Sequence, residues 1–354
     1  MHDVVIVSCA RSAVARGKGD GALASVHPVE LSAAVMQAAI ARAGVDPAVV
    51  EDVQWGCAMP EAGQGLNHGR LAWLRAGFPV ETSAATINRF CSSGLQAVAY
   101  GAQAIIAGHG DAVLAGGIEM MSQVPMSGYH TRLSPEITEH YIGMGFTAER
   151  VAQRWGITRE MQDDFAFASQ QKAAAALANG VFAPEIVPIT VRREQWSGAA
   201  RTVTEVVVDT DECPRLDTTR EGLAKLRPAF SAKGSVTAGN ASPYSDGAAA
   251  VLVMRRDRAD ALGLRPLARF VSFATAGVAP DIMGVGPIYA IPKALARAGL
   301  SLGDIKLIEF NEAFAAQALA VMRELEMDPS IVNVNGGAIA LGHPLGATGA
   351  KLTT

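Results

Sequence analysis

One cysteine lies where a helix is expected to begin. Cys91 follows an apolar segment at Ala85–Asn88 and precedes a run of small residues at Ser92–Ala107 that predicts a helix. The first N–H groups of a helix have no intrahelical partner and lie at the positive end of the helix dipole, so they can stabilise a thiolate or an oxyanion. The spacing therefore indicates a cysteine nucleophile. A structural cysteine packed at a helix start is the alternative, and spacing alone leaves it open.

A histidine and an asparagine later in the sequence are candidate partners for that cysteine. His343 lies in the glycine-rich segment Asn335–Gly349, which indicates backbone folded tightly against a ligand or a neighbouring element. Imidazole is the usual base for a catalytic thiol. Asn311 precedes Glu312 directly after an apolar segment, a pattern that predicts a helix N-cap followed by a carboxylate in the first turn. An amide that positions a water or the imidazole is the functional alternative.

The segments that must position these residues predict an α/β fold. Apolar runs rich in β-branched residues alternate with helical patterns, as expected for buried sheets covered by helices. Among these elements are a helix at Pro28–Ala43 and strands at Ile305–Glu309 and Ile331–Val334. The strand before Cys91 corresponds to the strand before Gly336. We therefore expect two duplicated βαβαβ halves.

The middle of the sequence differs from both halves. Thr147–Trp155 and Arg159–Leu177 predict amphipathic, charge-bearing helices, with Thr158 as the N-cap of the second. Thr202–Val208 is rich in β-branched residues and predicts a partly exposed strand. An irregular loop is expected at residues 120–128. This region is interpreted as an inserted loop domain.

Composition excludes several classes of protein. The 354 residues are 49% apolar and 18% charged, which is typical of a folded globular chain rather than a disordered one. A net charge of −4 gives no reason to expect nucleic acid or a membrane as a partner. The four cysteines form no C-x-x-C pair, and the histidines fall into no metal-ligand spacing, so no metal site is expected. Reduced thiols and the absence of signal-peptide features predict a cytoplasmic protein.

Seven motifs in order along the chain resemble the thiolase family, in particular its 3-ketoacyl-CoA thiolase or acetyl-CoA acyltransferase branch. They are Asn88–Ala97, Ala115–Ser122, Ala224–Phe230, Val236–Ser242, Asp246–Ala250, Asn311–Ala315 and Asn335–Gly349. Together they span nearly the whole chain. Because an ordered set is far more specific than any one motif, the resemblance favours the functional interpretation of Cys91.

The resemblance implies a thiolase-like fold, with two duplicated halves in a five-layered αβαβα core and an inserted loop domain. The N-terminal half would comprise residues 1–120, completed by about residues 244–266. The loop domain would comprise residues 121–243, and residues 267–354 would form an incomplete C-terminal half.

Roles for individual residues follow from the same resemblance. Cys91 would accept the acyl group, His343 would activate the thiol and help to form an oxyanion hole, and Asn311 would hold a water there. The expected coenzyme A contacts are Arg215, Met144, Ala238, Ser242 and Phe314. No cofactor is implied, because CoA is a substrate. A homodimer or homotetramer is expected, together with association with a β-oxidation multienzyme subunit.

The implied reaction is cleavage of 3-ketoacyl-CoA by CoA through an acyl-cysteine, releasing acetyl-CoA. Short-chain members commonly carry a histidine where this chain has Gly143, so a β-oxidation enzyme for medium or long acyl chains is expected. The alternatives are a biosynthetic thiolase that forms acetoacetyl-CoA, a decarboxylating β-ketoacyl synthase and a non-catalytic acyl-CoA-binding protein.

One family feature has no counterpart among these residues. Thiolases use a second cysteine, in a Cys-x-Gly turn, to exchange the proton with the α-carbon. None of Cys9, Cys57 and Cys213 lies in such a motif. The sequence therefore leads us to expect that a chain ending at Thr354 is a truncated thiolase with low stability and little thiolysis activity.

Overall fold

A computed structural model describes residues 2–125, 134–198 and 200–354, so the loop predicted at residues 120–128 lies partly outside the described residues. The β-strands are β1 Val4–Ser12, β2 Ala15–Arg16, β3 Asp52–Cys57, β4 Ser83–Ile87, β5 Ala112–Met120, β6 Ile186–Val187, β7 Ile189–Ser197, β8 Ala200–Val208, β9 Ser245–Arg255 and β10 Ala268–Arg269. The α-helices are α1 Pro28–Ala43, α2 His68–Arg75, α3 Ser93–Ile106, α4 Met144–Trp155, α5 Arg159–Ala178, α6 Arg220–Ala224, α7 Arg256–Ala261, α8 Gly286–Ala298, α9 Ala315–Glu324, α10 Ala338–Leu341 and α11 Thr348–Thr353. Short 3-10 helices lie at Pro47–Val49, Ala62–Gln64, Pro135–His140, Pro280–Val285, Leu302–Asp304 and Leu345–Ala347. The α/β fold class expected from the sequence is confirmed.

The main sheet is mixed, with its main strands in the order β10-β1-β9-β5-β3-β4. β3 runs parallel to both β4 and β5, whereas β9 runs antiparallel to β1 and β5. Every residue of β5 is buried, as is every residue of β9 except Arg255. Strands of this kind need cover on both faces.

Helices supply that cover, and the period of two along β5 divides its side chains between them. Leu114 and Ile118 pack in the cluster that contains α1 and α2. Val113 and Ala115 face the other way, into the cluster that contains α3 and Ala350 of α11. The carboxyl ends of β3, β4 and β5 therefore meet at one edge of a sheet held between two helical layers.

The C-terminal region departs from the strand predictions. The predicted strands at 305–309 and 331–334 meet only at one parallel bridge between Ile308 and Val332. The N–H of Ile308 donates to the carbonyl of Ile331 at 2.9 Å, and the N–H of Asn333 donates to that of Ile308 at 2.9 Å. Within the described ranges no further strand pairs with either segment. An extended segment becomes part of a sheet only where neighbours bind its backbone groups on a continuous register, and here they do not.

The middle region follows the sequence predictions. Thr158 is the N-cap of α5, because its Oγ1 accepts from the N–H of Met161 at 3.2 Å. β7 and β8 form a separate two-stranded antiparallel sheet. The domain boundaries given above remain a prediction. Among the described helices, none combines the length and the apolar character that crossing a membrane requires.

Candidate active site

A strained turn presents Cys91 at the end of β4. Phe90 adopts a positive φ of 45°, a conformation that costs non-glycine residues about 1–3 kcal/mol. Ser93, the first residue of α3, stabilises this turn: its Oγ accepts from the N–H of Arg89 at 2.8 Å and donates to the carbonyl of Phe90 at 2.6 Å. Cys91 therefore lies two residues before α3, close to the start of the helix as its position in the sequence predicts.

The Cys91 thiol is protonated at neutral pH. The partly buried side chain packs against a small apolar cluster that contains Ala58 and Leu345. Burial raises the pKa of Cys91 to about 12, and the nearby charge of Glu119 adds to the increase. For this sulfur to act as a nucleophile, a base would have to remove its proton.

His343 is buried and carries its lone pair on Nε2. Its Nδ1 lies 2.6 Å from Oγ1 of Thr348, and that hydroxyl donates to the carbonyl of Pro344 at 3.1 Å. We assign the hydroxyl proton to the Pro344 carbonyl, so that Oγ1 accepts from Nδ1–H and Nε2 carries the lone pair. Nδ2 of Asn311 lies 3.4 Å from this Nε2. The orientation makes Nε2 available as a base.

Burial also keeps His343 neutral. Only 3% of the residue is exposed. Burial lowers the pKa of His343 to about 3, and the charge of Lys351 contributes in the same direction. Nζ of Lys351 donates to the carbonyl of Gly342 at 3.1 Å, directly before the histidine. A neutral imidazole and a neutral thiol are thus the resting forms of this pair.

Asn311 does not cap a helix, so that prediction is wrong. α9 begins at Ala315, and its N-cap is Phe314, without a side-chain hydrogen bond. Tertiary contacts hold the segment instead: the Asn333 amide accepts from the N–H of Phe310 at 2.7 Å and donates to the carbonyl of Phe310 at 2.8 Å. Oδ1 of Asn311 is buried and has no hydrogen-bond partner among the described residues. A water or a substrate donor would satisfy it.

Glu312, predicted as a carboxylate in a first helical turn, is instead buried between three elements. It accepts from Ser169 of α5 at 2.7 Å, from Nδ2 of Asn333 at 2.8 Å and from the N–H of Ile339 at 3.3 Å. Gly337 has no space for a Cβ, because the Glu312 carboxylate occupies it. These contacts fix both Asn311 and the glycine-rich loop that leads to His343.

Three of the five expected CoA contacts lie on segments that meet. Ser242 donates to the carbonyl of Ala313 through its N–H and its hydroxyl, at 3.0 and 2.9 Å, beside Phe314. The ring of Phe314 packs edge to face on Phe230, with centroids 6.2 Å apart, and Phe230 packs on Phe146, two residues after Met144.

The other two expected CoA contacts are exposed. Ala238 lies in the turn that precedes Ser242. Arg215 is tied to α5, where its N–H donates to Gln170 at 2.9 Å. Within the described part of the chain its guanidinium makes no ion pair, which suits a group that would meet a phosphate.

The structure adds residues that the sequence did not single out. Thr348 orients His343, Glu119 lies near Cys91, and Phe230 joins the aromatic group. Each lies inside a motif quoted above, but nothing in those motifs shows which member contacts which. No cluster of metal-ligating side chains is found in the described ranges.

Comparison with known proteins identifies the family of this chain. The family model for the thiolase N-terminal domain matches residues 4–257, and that for the thiolase C-terminal domain matches residues 264–354. A 3-ketoacyl-CoA thiolase of Bacillus subtilis (strain 168) is 52% identical over 368 residues, covering 100% of this chain and 91% of that protein. An acetyl-CoA acetyltransferase of Rhizobium meliloti (strain 1021) is 49% identical over 364 residues, covering 99% and 90%.

A solved structure of a relative has the same fold as this chain. The crystal structure of the Bacillus anthracis acetyl-CoA acetyltransferase superposes with a TM-score of 0.90 at 44% identity, covering 100% of this chain and 91% of that chain. The expected thiolase-like fold is thereby confirmed. Matches of both domain models, full-length relatives and a shared fold support one conclusion: this chain belongs to the thiolase family of acyltransferases.

Proposed function

We propose that the chain transfers acyl groups through a thioester on Cys91, with His343 as the base. The observation that supports this most directly is the orientation of His343, whose unprotonated Nε2 faces the Asn311 amide. The turn that follows His343 contributes Leu345 to the cluster around Cys91. Proton transfer by a general base starts from a neutral imidazole and a protonated thiol, and these are the forms that burial favours for His343 and Cys91.

The proposed cleavage has two steps. First, Sγ of Cys91 bonds to the 3-keto carbon while its proton passes to Nε2 of His343. The bond to the α-carbon then breaks, its electron pair leaves with acetyl-CoA, and that carbon takes up the proton held by His343, which returns the imidazole to its neutral form. In the second step the thiol of CoA attacks the acyl–Cys91 thioester, loses its proton, and Cys91 leaves as a thiol. The reverse sequence is a Claisen condensation.

The acylation step can be tested without carbon–carbon cleavage. Acetyl-CoA should acetylate Cys91 and release CoA, since exchange of one thioester for another requires no proton transfer at carbon. Peptide mass spectrometry after incubation with acetyl-CoA would locate the acetyl group. Binding without acetylation would favour the non-catalytic alternative.

For the acyl chain we propose a medium or long 3-ketoacyl group, as in β-oxidation, with biosynthesis of acetoacetyl-CoA as the alternative. Gly143 precedes α4, and among the described residues a Cβ placed there meets only the ring of Phe146 within 4 Å. A small residue at this position leaves space beside the aromatic group that includes Phe230. The expected contacts to CoA are Arg215, Met144, Ala238, Ser242 and Phe314.

We expect the enzyme to cleave 3-ketodecanoyl-CoA with a kcat/KM at least equal to that for acetoacetyl-CoA. Gly143→His should reduce the value for the longer substrate about tenfold or more while changing the shorter one less, because the imidazole would fill the space. Steady-state assays with both substrates test this. Cleavage of acetoacetyl-CoA alone by the unmodified enzyme would contradict the proposal and favour the biosynthetic alternative.

We also propose a cytoplasmic homodimer or homotetramer, with an additional β-oxidation subunit as a partner. In the described part of the chain β4 pairs only with β3, so its outer edge is open, and edges of this kind are usually covered. Phe90 and Leu95, which flank Cys91, are also exposed. Sedimentation velocity should give a mass at least twice that of one chain. A monomer at micromolar concentration would contradict the proposal.

A further inference from the structure

A fully buried carboxylate lies at the carboxyl end of β5, beside the candidate site. Glu119 has 0% exposure. Its Oε2 accepts from the N–H of Ala58 at 3.0 Å and from the N–H of Gly346 at 2.8 Å. Its Oε1 accepts from the N–H of Met59 at 3.2 Å and from Nε2 of Gln64 at 2.8 Å. All four of these partners are donors, so the site is built for an ionised carboxylate.

These four contacts join elements that are far apart in the sequence. Ala58 and Met59 follow β3, and Cys91 packs against the apolar cluster to which they belong. Gly346 lies in the turn between His343 and Thr348, 227 residues away from Glu119. Glu119 is thus a direct hydrogen-bonded link from the segment beside Cys91 to the turn that carries the base.

The backbone around this link has no spare space. A Cβ on Gly117 would overlap the carbonyl oxygen of Gly346. A Cβ on Gly346 would lie 2.7 Å from the nitrogen of Ala58 and 2.8 Å from the carbonyl oxygen of Ile118. The backbone of the turn thus packs directly against the segments after β3 and in β5, at the point where the N–H of Gly346 meets the Glu119 carboxylate.

We propose that Glu119 is a positioning residue, whose carboxylate fixes the turn Pro344–Ala347, and with it His343, relative to Cys91. The inference rests on the roles proposed for Cys91 and His343. Glu119 itself does not touch the reacting atoms.

The electrostatics support positioning rather than activation. A negative charge near Cys91 disfavours the thiolate, and the charge of Glu119 contributes to the raised pKa of that thiol. Burial raises the pKa of Glu119 itself, and the donated hydrogen bonds oppose that change. Glu119 thus hinders ionisation of Cys91, so it does not activate the thiol. Its hydrogen bonds to four donors instead support a role in holding the surrounding backbone in position.

Glu119→Gln is the decisive variant, because it keeps the size of the side chain and removes the charge. Whichever way the amide is oriented, its NH₂ group faces two of the four donors. We expect kcat for acetyl exchange between acetyl-CoA and CoA to fall about 10- to 100-fold, since displacements near 1 Å have costs of this order. KM for CoA should stay within about twofold, because no expected CoA contact is involved.

Two further measurements separate positioning from general damage. Cys91 in Glu119→Gln should react with iodoacetamide at least as fast as in the unmodified protein, because a negative charge has been removed. Hydrogen exchange in the peptide that contains Gly346 should become faster. Glu212→Gln is the matched control: Glu212 accepts from the N–H groups of Arg16 at 3.0 Å and Ala22 at 2.9 Å, and neither is in the candidate site.

The outcomes are distinguishable. If Glu119→Gln exchanges acetyl groups as fast as Glu212→Gln, the positioning role is refuted, whereas a loss of exchange that also slows alkylation of Cys91 would indicate general damage. If Glu119→Gln does not fold, Glu119→Asp keeps the charge but reaches less far, and a kcat equal to that of the unmodified protein would also refute the role. If the unmodified protein exchanges acetyl groups independently of Cys91, the proposed function fails instead.

Discussion

Replacing Cys91 by serine should lower the rate of acetyl exchange between acetyl-CoA and CoA by about 10⁴-fold or more, the order of loss seen when a nucleophile is removed. A hydroxyl has the same place in the turn, but it is a much poorer nucleophile than a thiol at neutral pH. Exchange of isotopically labelled CoA into acetyl-CoA measures the rate directly. Mass spectrometry of the intact protein should show that the acetyl adduct has disappeared.

Cys9→Ser is the matched control for this substitution. Cys9 is partly exposed and, as for Cys91, burial raises the pKa of its thiol. It lies in β1, in none of the motifs that point to the site. The control should retain the exchange rate and the adduct. If Cys91→Ser still formed an acetyl adduct at the original rate, the nucleophile would have been assigned to the wrong residue.

Replacing His343 by glutamine should lower the exchange rate by about 10²–10⁴-fold, the usual contribution of a general base. Glutamine can retain a hydrogen bond to Thr348 or Asn311, but it cannot take the Cys91 proton. Because Cys91 has a raised pKa, the loss should not be recovered by raising the pH to 8. His68→Gln is the control, since His68 is also buried, bonds to Ser32 at 2.9 Å and lies outside the site.

The pH dependence tests the state of the same imidazole. A base whose pKa is lowered to about 3 is neutral at every pH above that value, so His343 is competent throughout pH 5–8. The unmodified protein should therefore show no loss of kcat/KM centred near 6.5 as the pH falls. An acid limb near pH 6.5 that disappears in His343→Gln would show that the imidazole titrates at its ordinary value, contrary to this structure.

Local patterns in the sequence were sufficient to predict those helices whose ends are set by neighbouring residues. The helix predicted at Pro28–Ala43 has those bounds in the structure, because proline at its first turn and Gly44 in the left-handed region after it are local signals. The helix predicted at Arg159–Leu177 ends one residue later, at Ala178. Period and capping are properties of a short stretch of chain, so they can be read from it.

Predictions failed where a distant partner decided the conformation. The apolar runs at 305–309 and 331–334 have strand composition, but strands also need neighbours, and these runs share a single bridge. Asparagine is a preferred N-cap residue, but at Asn311 no helix begins, because Asn333 binds the N–H and the carbonyl of the preceding residue, Phe310. In both cases a residue's own preference is weaker than the contacts made by the folded chain.

The candidate site also combines features that local sequence patterns predict with features that depend on tertiary contacts. The sequence by itself identified the family, and through the ordered motifs it proposed Cys91, His343 and Asn311 as candidate site residues. Only the tertiary structure decided how they are arranged: Asn311 and His343 meet across 32 residues, with Nε2 of His343 toward Asn311 and Nδ1 toward Thr348. Glu119 meets Gly346 across 227 residues. Hydrogen bonds of this kind depend on distances in space that no local pattern encodes, because the packing of the sheet and its helices sets them.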